Sequence, residues 1–276
     1  MLDILSIGNA NADIYSNGKI FPGGSANNFA VACAKLGLKS GFLGIIGNDE
    51  KGTFLINNLK KNKVKSFIRI SDKNTGTVKI LSKGFNKKFI KSLGANEELK
   101  NLNLEPYLKL TKNIHLATPP IELLKQLPVG LNISVDPGKE LSNYSITQLK
   151  PYLKNIKIFF ATEDEAKKIT GKDYDLAANE LINLGVKIVA IKRNSAGIYV
   201  KTLKEEFSKD YIDSKIIDAT GGGDAFASAF ISALILKKSV KEAANWGLIS
   251  SSIKLEKLGA QNTPSLIKLK NQVLKL

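Results

Sequence analysis

Asp218-Ala219-Thr220-Gly221-Gly222-Gly223-Asp224-Ala225-Phe226, near the C-terminal end of this 276-residue chain, is the stretch whose reading decides the fold. The apolar segment Tyr211 to Ile217 ahead of it predicts a strand. Ala225 to Leu236 behind it, rich in helix formers, predicts a buried helix. Three glycines between strand and helix leave backbone N–H groups bare at a helix N-terminus. Unsatisfied donors and the helix dipole both favour negative charge there, so the run reads as an anion site. Asp224 is the odd member, because a carboxylate at the mouth of such a site repels the anion the loop attracts. That repulsion is tolerable if the carboxylate accepts a proton from an attacking hydroxyl, which makes Asp224 a candidate general base.

Working outward, strand-like apolar runs alternate with helical patterns. Strands are expected at about 2–8, 40–46, 113–117, 131–135, 157–161, 187–192 and 196–201, and helices at about 26–37, 50–61, 121–127, 145–154, 163–169, 175–184, 224–236 and 239–254. Such alternation implies a mostly parallel sheet with helices on both faces, whose ligands bind beyond the C-terminal strand ends. Two places break it. Ile14 to Phe21 is a hairpin pattern with Asn17-Gly18 at the turn. Ser66–Ile70, Gly76–Leu81 and Lys87–Ile90 are short strands without intervening helices, expected to pair into a small separate sheet over the ligand site.

The composition is that of a globular protein, 43% hydrophobic and 24% charged. No apolar run is long enough for a membrane span, and Met1 to Gly8 reads as a first strand rather than a signal peptide. The single cysteine, Cys33, excludes an intrachain disulfide and a cysteine zinc cluster; it falls on the buried face of a helix. The cytoplasm is the expected compartment. The net charge of +16 raises a nucleic-acid partner, but only Arg69 and Arg193 are arginines, and there is no aromatic stacking motif. The charge reads as a solvated lysine surface.

Gly23-Gly24-Ser25-Ala26-Asn27-Asn28 follows the hairpin and opens a helix. Turn chemistry alone makes it a glycine turn and an N-cap. The functional reading is backbone approach to a polar ligand, with Asn28 aimed from the first turn. Asn11 and Asp13, just after the first strand, would complete a set of donors and acceptors suited to sugar hydroxyls. Neither a P-loop nor a Gly-x-Gly-x-x-Gly after the first strand occurs. His115, the only histidine, lies on an apolar run and is expected to be structural, and Trp246 is expected to pack in the core, with a flanking base pocket as its alternative.

Together these residues make the chain resemble the PfkB, or ribokinase-like, family of carbohydrate kinases over nearly its whole length. Gly8-Asn9-Ala10-Asn11-Ala12-Asp13 is similar to the family's first-strand exit, which implies that Asn11 and Asp13 bind sugar hydroxyls. Gly23 to Asn28, continuing to Lys35-Leu36-Gly37, is similar to the first family signature, which adds Gly23, Gly24 and Asn28 to the acceptor site. Gly44 to Gly52 and Leu93-Gly94-Ala95-Asn96 are further matches. The second signature is the opening run. The resemblance makes Asp224 the catalytic base and Gly221, Gly222 and Gly223 the anion hole, with Thr220 on the nucleotide side. Lys192-Arg193-Asn194-Ser195-Ala196-Gly197 stands where the family has Thr or Lys and then Gly-x-x-Gly. It implies Lys192, Asn194 and Gly197 as nucleotide contacts, with Asn194 keeping a left-handed turn in place of glycine. Thr162-Glu163-Asp164-Glu165 stands for Asn-x-x-Glu: Glu165, acting indirectly on the metal, is retained, and threonine replaces asparagine. Lys257-Leu258-Gly259-Ala260-Gln261 is similar to the closing stretch.

The resemblance implies an α/β, ribokinase-like three-layer sandwich with a mostly parallel central sheet and a small β-sheet lid. It implies a single domain over 1–276, with lid segments about 12–22 and 65–92. The implied activity is ATP-dependent phosphorylation of a hydroxymethyl group on a small carbohydrate, a ribose-like sugar being favoured, with Mg2+ and room for a monovalent cation. A nucleoside kinase is the alternative on the same fold, and a non-catalytic sugar- or nucleotide-binding protein the alternative of another class. Asp136-Pro137-Gly138-Lys139 lacks the Asn and Arg of ketodeoxygluconate kinases. The expected partners are a small-molecule sugar or nucleoside, with no nucleic acid and no membrane, on a monomer or homodimer.

Overall fold

The computed structural model describes residues 1–81 and 89–274. They form two compact units, Met1–Leu99 with Ile212–Leu276, and Lys100–Tyr211. The fold is α/β, with a large, mostly parallel sheet and a smaller separate sheet.

The first unit begins with β1 (Ile4–Gly8), β2 (Asn11–Tyr15), β3 (Ile20–Gly23), α1 (Ser25–Lys35), β4 (Ser40–Gly47), α2 (Glu50–Lys61), β5 (Lys65–Ser71), β6 (Thr77–Ile80) and β7 (Phe89–Ser92). β1 and β4 are buried along their whole length, as expected of parallel strands covered on both faces. β4 pairs in parallel with β1 and with β5. The smaller sheet runs β3-β2-β6-β7, with β2 and β3 forming the hairpin read from Asn17-Gly18. β6 lies parallel to β2 and antiparallel to β7. Residues 66–70 were expected in this small sheet and belong instead to β5 of the large one. The reason is α2: it supplies the crossover that a parallel β4-α2-β5 unit needs. Of the expected strand 87–90, residues 87–88 lie outside the described residues, and Phe89–Ser92 pairs with β6.

The second unit holds α3 (Glu105–Leu108), β8 (Asn113–Ala117), α4 (Ile121–Leu124), β9 (Asn132–Asp136), α5 (Gly138–Leu141), α6 (Ile146–Leu153), β10 (Ile158–Thr162), α7 (Glu163–Thr170), α8 (Tyr174–Asn183), β11 (Ile188–Lys192), β12 (Ile198–Thr202) and β13 (Glu206–Lys209). β8, β9, β10 and β11 pair in parallel, and β12 and β13 add antiparallel. The helix expected over 121–127 stops at Leu124, ahead of Pro128, whose ring disfavours helical backbone in the residue before it.

The chain closes the first unit with α9 (Gly222–Ile235), α10 (Val240–Leu255) and α11 (Leu266–Val273). Tyr211–Ile217, expected as a strand, has no strand pairing. The N–H groups of Ile217 and Asp218 donate instead to the Leu255 carbonyl, at 2.8 and 3.0 Å, and satisfy an end-of-helix acceptor that would otherwise be orphaned. α9 is buried over almost its whole circumference from Ala225 to Ala233, as suits its uniformly apolar composition, and packs against α1 and α10. Cys33 and Trp246 are both buried. Among the described residues, no helix is long and apolar enough to cross a membrane.

Candidate active site

The glycine run lies inside α9 rather than ahead of it. Gly221 is the N-cap, at φ 78°, and Gly222, Gly223 and Asp224 form the first turn. The positive φ suits glycine, and a β-carbon at Gly221 would stand 2.7 Å from Ala260 Cβ and from its carbonyl oxygen. The run can therefore close only without a side chain. It places Asp224 in the first turn of α9, where the Gly222 N–H donates back to the Ala219 carbonyl at 3.3 Å.

Asn28 on α1 donates through Nδ2 to Asp224 Oδ2 at 2.8 Å. Its other end is held too, since Gln261 Nε2 donates to Asn28 Oδ1 at 3.2 Å and Asn58 Nδ2 donates to Gln261 Oε1 at 2.8 Å. Three amides thus point the same way, each donating toward Asp224. Bonds of this polarity stabilise the ionised carboxylate, the form a general base needs.

The expected acceptor residues gather around the β2–β3 hairpin. Asn11 is opposite Gly23 in the sheet, and Asp13, only 3% exposed, is opposite Phe21. Gly23 leaves the space that Asp13 fills: a β-carbon there would lie 2.2 to 2.3 Å from the Asp13 carboxyl group. Gly24 abuts the turn after β1, where an added β-carbon would meet Ala10 Cα and Asn9 O at 2.6 Å. Asn11 Oδ1 accepts from Asn96 Nδ2 at 2.9 Å, and Asn96 also bonds both backbone polar groups of Ala10. Asn28 follows Gly24 by one helical turn, its N–H donating to the Gly24 carbonyl at 2.8 Å. Asn11, Asp13, Gly23, Gly24, Asn28 and Asp224 therefore fall in one unit, on β2, β3 and the opening turns of α1 and α9.

Lys192, Asn194, Gly197 and Glu165 belong to the second unit, where the C-terminal ends of its parallel strands carry the polar groups. Lys192, which ends β11, pairs with Asp136, which ends β9, at 2.7 Å. Asn194 takes φ 49°, the left-handed backbone expected of it, and the Gly197 carbonyl accepts from Arg193 N–H at 2.8 Å. Thr162 and Glu165 form a capping box at the start of α7. Glu165 N–H donates to Thr162 Oγ1 at 3.2 Å, and Thr162 N–H donates to Glu165 Oε2 at 2.8 Å. Burial raises the Glu165 carboxyl above its usual range, as does the Asp136 charge, against the opposing pull of Lys192 and the cap bonds. His115 faces Ser134 across β8 and β9, with Nδ1 3.0 Å from the Ser134 hydroxyl. That hydroxyl already donates to the Ile114 carbonyl, so Nδ1 carries the hydrogen. Burial lowers the His115 pKa to about 3, with the neighbouring Asp136 opposing, and the ring is neutral and structural as expected.

Sequence reasoning assigned no role to Asn96, Gln261, Asp136, Asp218 or Lys254. Asn96 and Gln261 stood in quoted stretches and Asp218 opened the decisive run, but what each touches is remote in sequence.

The pattern of the family described as pfkB family carbohydrate kinase matches residues 5–267. The chain belongs to that family. It is a phosphotransferase acting on a hydroxyl group, of the sugar and nucleoside kinase kind. The kinase is 28% identical over 273 residues to a cytidine kinase of Thermococcus kodakarensis, covering 94% of this chain and 98% of the relative. It superposes on a ribokinase structure from Thermotoga maritima with a TM-score of 0.87 and 26% identity, covering 99% of this chain and 100% of the other. An Arabidopsis thaliana ribokinase complexed with ribose and ATP matches in fold with a TM-score of 0.87 at 23% identity, over 100% of this chain and 99% of the other.

Proposed function

We propose that this kinase transfers the terminal phosphoryl group of ATP to the hydroxymethyl group of a ribose-like sugar. The observation that carries the proposal is the Asn28–Asp224 bond of 2.8 Å at the first turn of a glycine-opened helix, one helical turn from the Gly23-Gly24 corner. In this reading Asn11, Asp13 and Asn28 hold the acceptor hydroxyls, and Gly23 and Gly24 let it approach the backbone. Asp224 takes the hydroxyl proton as the new phosphorus–oxygen bond forms. A carboxylate is too weak a base to ionise an alcohol beforehand, so proton transfer is late or concerted with attack. Gly221, Gly222 and Gly223 form the anion hole where negative charge builds, the Gly222 N–H leaving the Ala219 carbonyl 3.3 Å away to serve there; a lost donor costs roughly 3–4 kcal/mol in comparable sites. The small sheet that carries Asn11 and Asp13 acts as the lid that keeps water from competing as acceptor.

On the nucleotide side the proposal assigns phosphate and nucleotide contacts to Lys192, Asn194, Gly197 and Thr220. Among the described residues, no group of three or more His, Cys, Asp or Glu could hold a metal. That fits Mg2+, which keeps most of its waters and is bound through substrate phosphates rather than a protein cage. Mg2+ would neutralise phosphate charge when bound, and Glu165, kept near its helix cap, would orient one of its waters.

A nucleoside acceptor is the second reading. It is favoured by the cytidine kinase relative and by the short four-residue turn between β2 and β3, which leaves room for a bulkier acceptor. One experiment separates the two: ADP release from ATP and Mg2+ with ribose, fructose, ketodeoxygluconate, adenosine, cytidine or inositol. The proposal expects ribose to give the highest kcat/KM. Turnover with cytidine or adenosine alone would replace it with the second reading, and turnover with none of the six would overturn both.

A further inference from the structure

Lys254 lies in the last turn of α10 and has no exposed surface. Its ammonium donates to the Asp218 backbone carbonyl at 2.5 Å, lies 3.5 Å from the Lys257 carbonyl and is 3.9 Å from Asp218 Oδ2. Asp218 is itself 1% exposed. Its Oδ1 accepts from Thr220 N–H at 2.9 Å, and its Oδ2 accepts from Gly259 N–H at 2.8 Å and from the Tyr15 hydroxyl at 2.5 Å. Burial and the Asp218 bond both raise the Tyr15 pKa, so its hydroxyl keeps its proton and donates. One buried carboxylate thus ties together the entry to the glycine turn, the loop after α10 and the small sheet that bears Asp13.

A carboxylate this buried needs a compensating positive charge. The oxygens around the Lys254 ammonium, two carbonyls and one carboxylate, are of the kind a hard monovalent ion would take. An ammonium is a compact point charge with three donors, and it already occupies the space among them. A dissociable monovalent cation, which the family resemblance left room for, therefore does not fit here. We infer that Lys254 is a tethered monovalent cation. It neutralises Asp218 beneath the glycine turn with a charge that belongs to the chain, and it makes Lys254 a positioning residue for the anion hole without potassium or sodium. The inference rests on the kinase activity of the chain and not on which acceptor it uses.

The test compares potassium chloride with choline chloride at equal ionic strength, reading both turnover and the thermal midpoint; the midpoint needs no acceptor and so stands apart from the substrate proposal. The wild-type protein should change by less than about twofold in rate between the two salts, with coincident melts. K254A should lose about tenfold or more in choline chloride, and recover rate and midpoint in potassium chloride, because the ion enters the space the ammonium left. Wild-type turnover that depends on potassium would overturn the inference. So would K254A that works normally without potassium, or one whose loss potassium does not relieve. Should K254A fail to fold, the wild-type comparison decides alone: invariance supports the inference and dependence overturns it.

Discussion

Asn28 donates to Asp224 with one end of its amide and accepts from Gln261 with the other. An amide held at both ends cannot flip, so Gln261 decides which atom Asn28 offers to the carboxylate. Losing a single neutral hydrogen bond of this kind is worth about 0.5–1.5 kcal/mol. Q261A should therefore lower kcat by about three- to tenfold, with the KM for ATP unchanged, and Q261E should not restore it, because Gln261 must donate to Asn28. Steady-state kinetics with acceptor and ATP varied separately check this. Gln261 was beyond the reach of sequence reasoning for a physical reason. Its stretch matched a pattern, but the partners that give it a role, Asn28 and Asn58, are on α1 and α2.

At the scale of elements, α9 organises the candidate site. Its first turn holds the glycines and Asp224, and the rest is buried against α1, which carries Asn28, and α10, which carries Lys254. The turn tolerates no side chain at Gly221. G221A would force a left-handed alanine, at about 1–2 kcal/mol, and press its methyl group against Ala260. The expected outcome is a loss of about 2 kcal/mol or more in urea unfolding, and turnover reduced by more than that loss of fold explains. The glycine helix and the hairpin were legible because both rest on local turn chemistry. The segments read wrongly were those whose state depends on what lies elsewhere. Ser66–Ile70 joined the large sheet because α2 could cross over to it. Tyr211–Ile217 pairs with no strand, and its last N–H, that of Ile217, donates to the Leu255 carbonyl at the end of α10.

For the whole molecule, the predicted acceptor and base residues belong to the first unit, and Lys192, Asn194, Gly197 and Glu165 to the second. The second unit also ties fold stability to pH through His115. Its folded pKa is lowered to about 3 by burial, so the unfolded chain takes up a proton near pH 6.5 that the native chain refuses. Stability from this group is complete above pH 6.5 and falls as the pH drops toward 3. Between pH 7 and 5 the loss is about 2 kcal/mol. H115N, which keeps a donor for Ser134, should show that much less acid destabilisation in urea melts over the same range; parallel losses in the two proteins would contradict it. The family was readable at this scale because two signatures stood in order along the chain. The Asp218–Lys254 pair was not, since a lysine inside a helical pattern reads as surface until its neighbours are seen to bury it.

The central claim is that Asp224 accepts the proton of the attacking hydroxyl. The most direct measurement is acceptor-stimulated ADP release by D224N beside the wild type, with ATP binding measured on the same samples. The claim predicts that D224N binds ATP with about the same affinity and loses at least about 10²- to 10⁴-fold in kcat. Turnover of D224N close to the wild-type rate would contradict it.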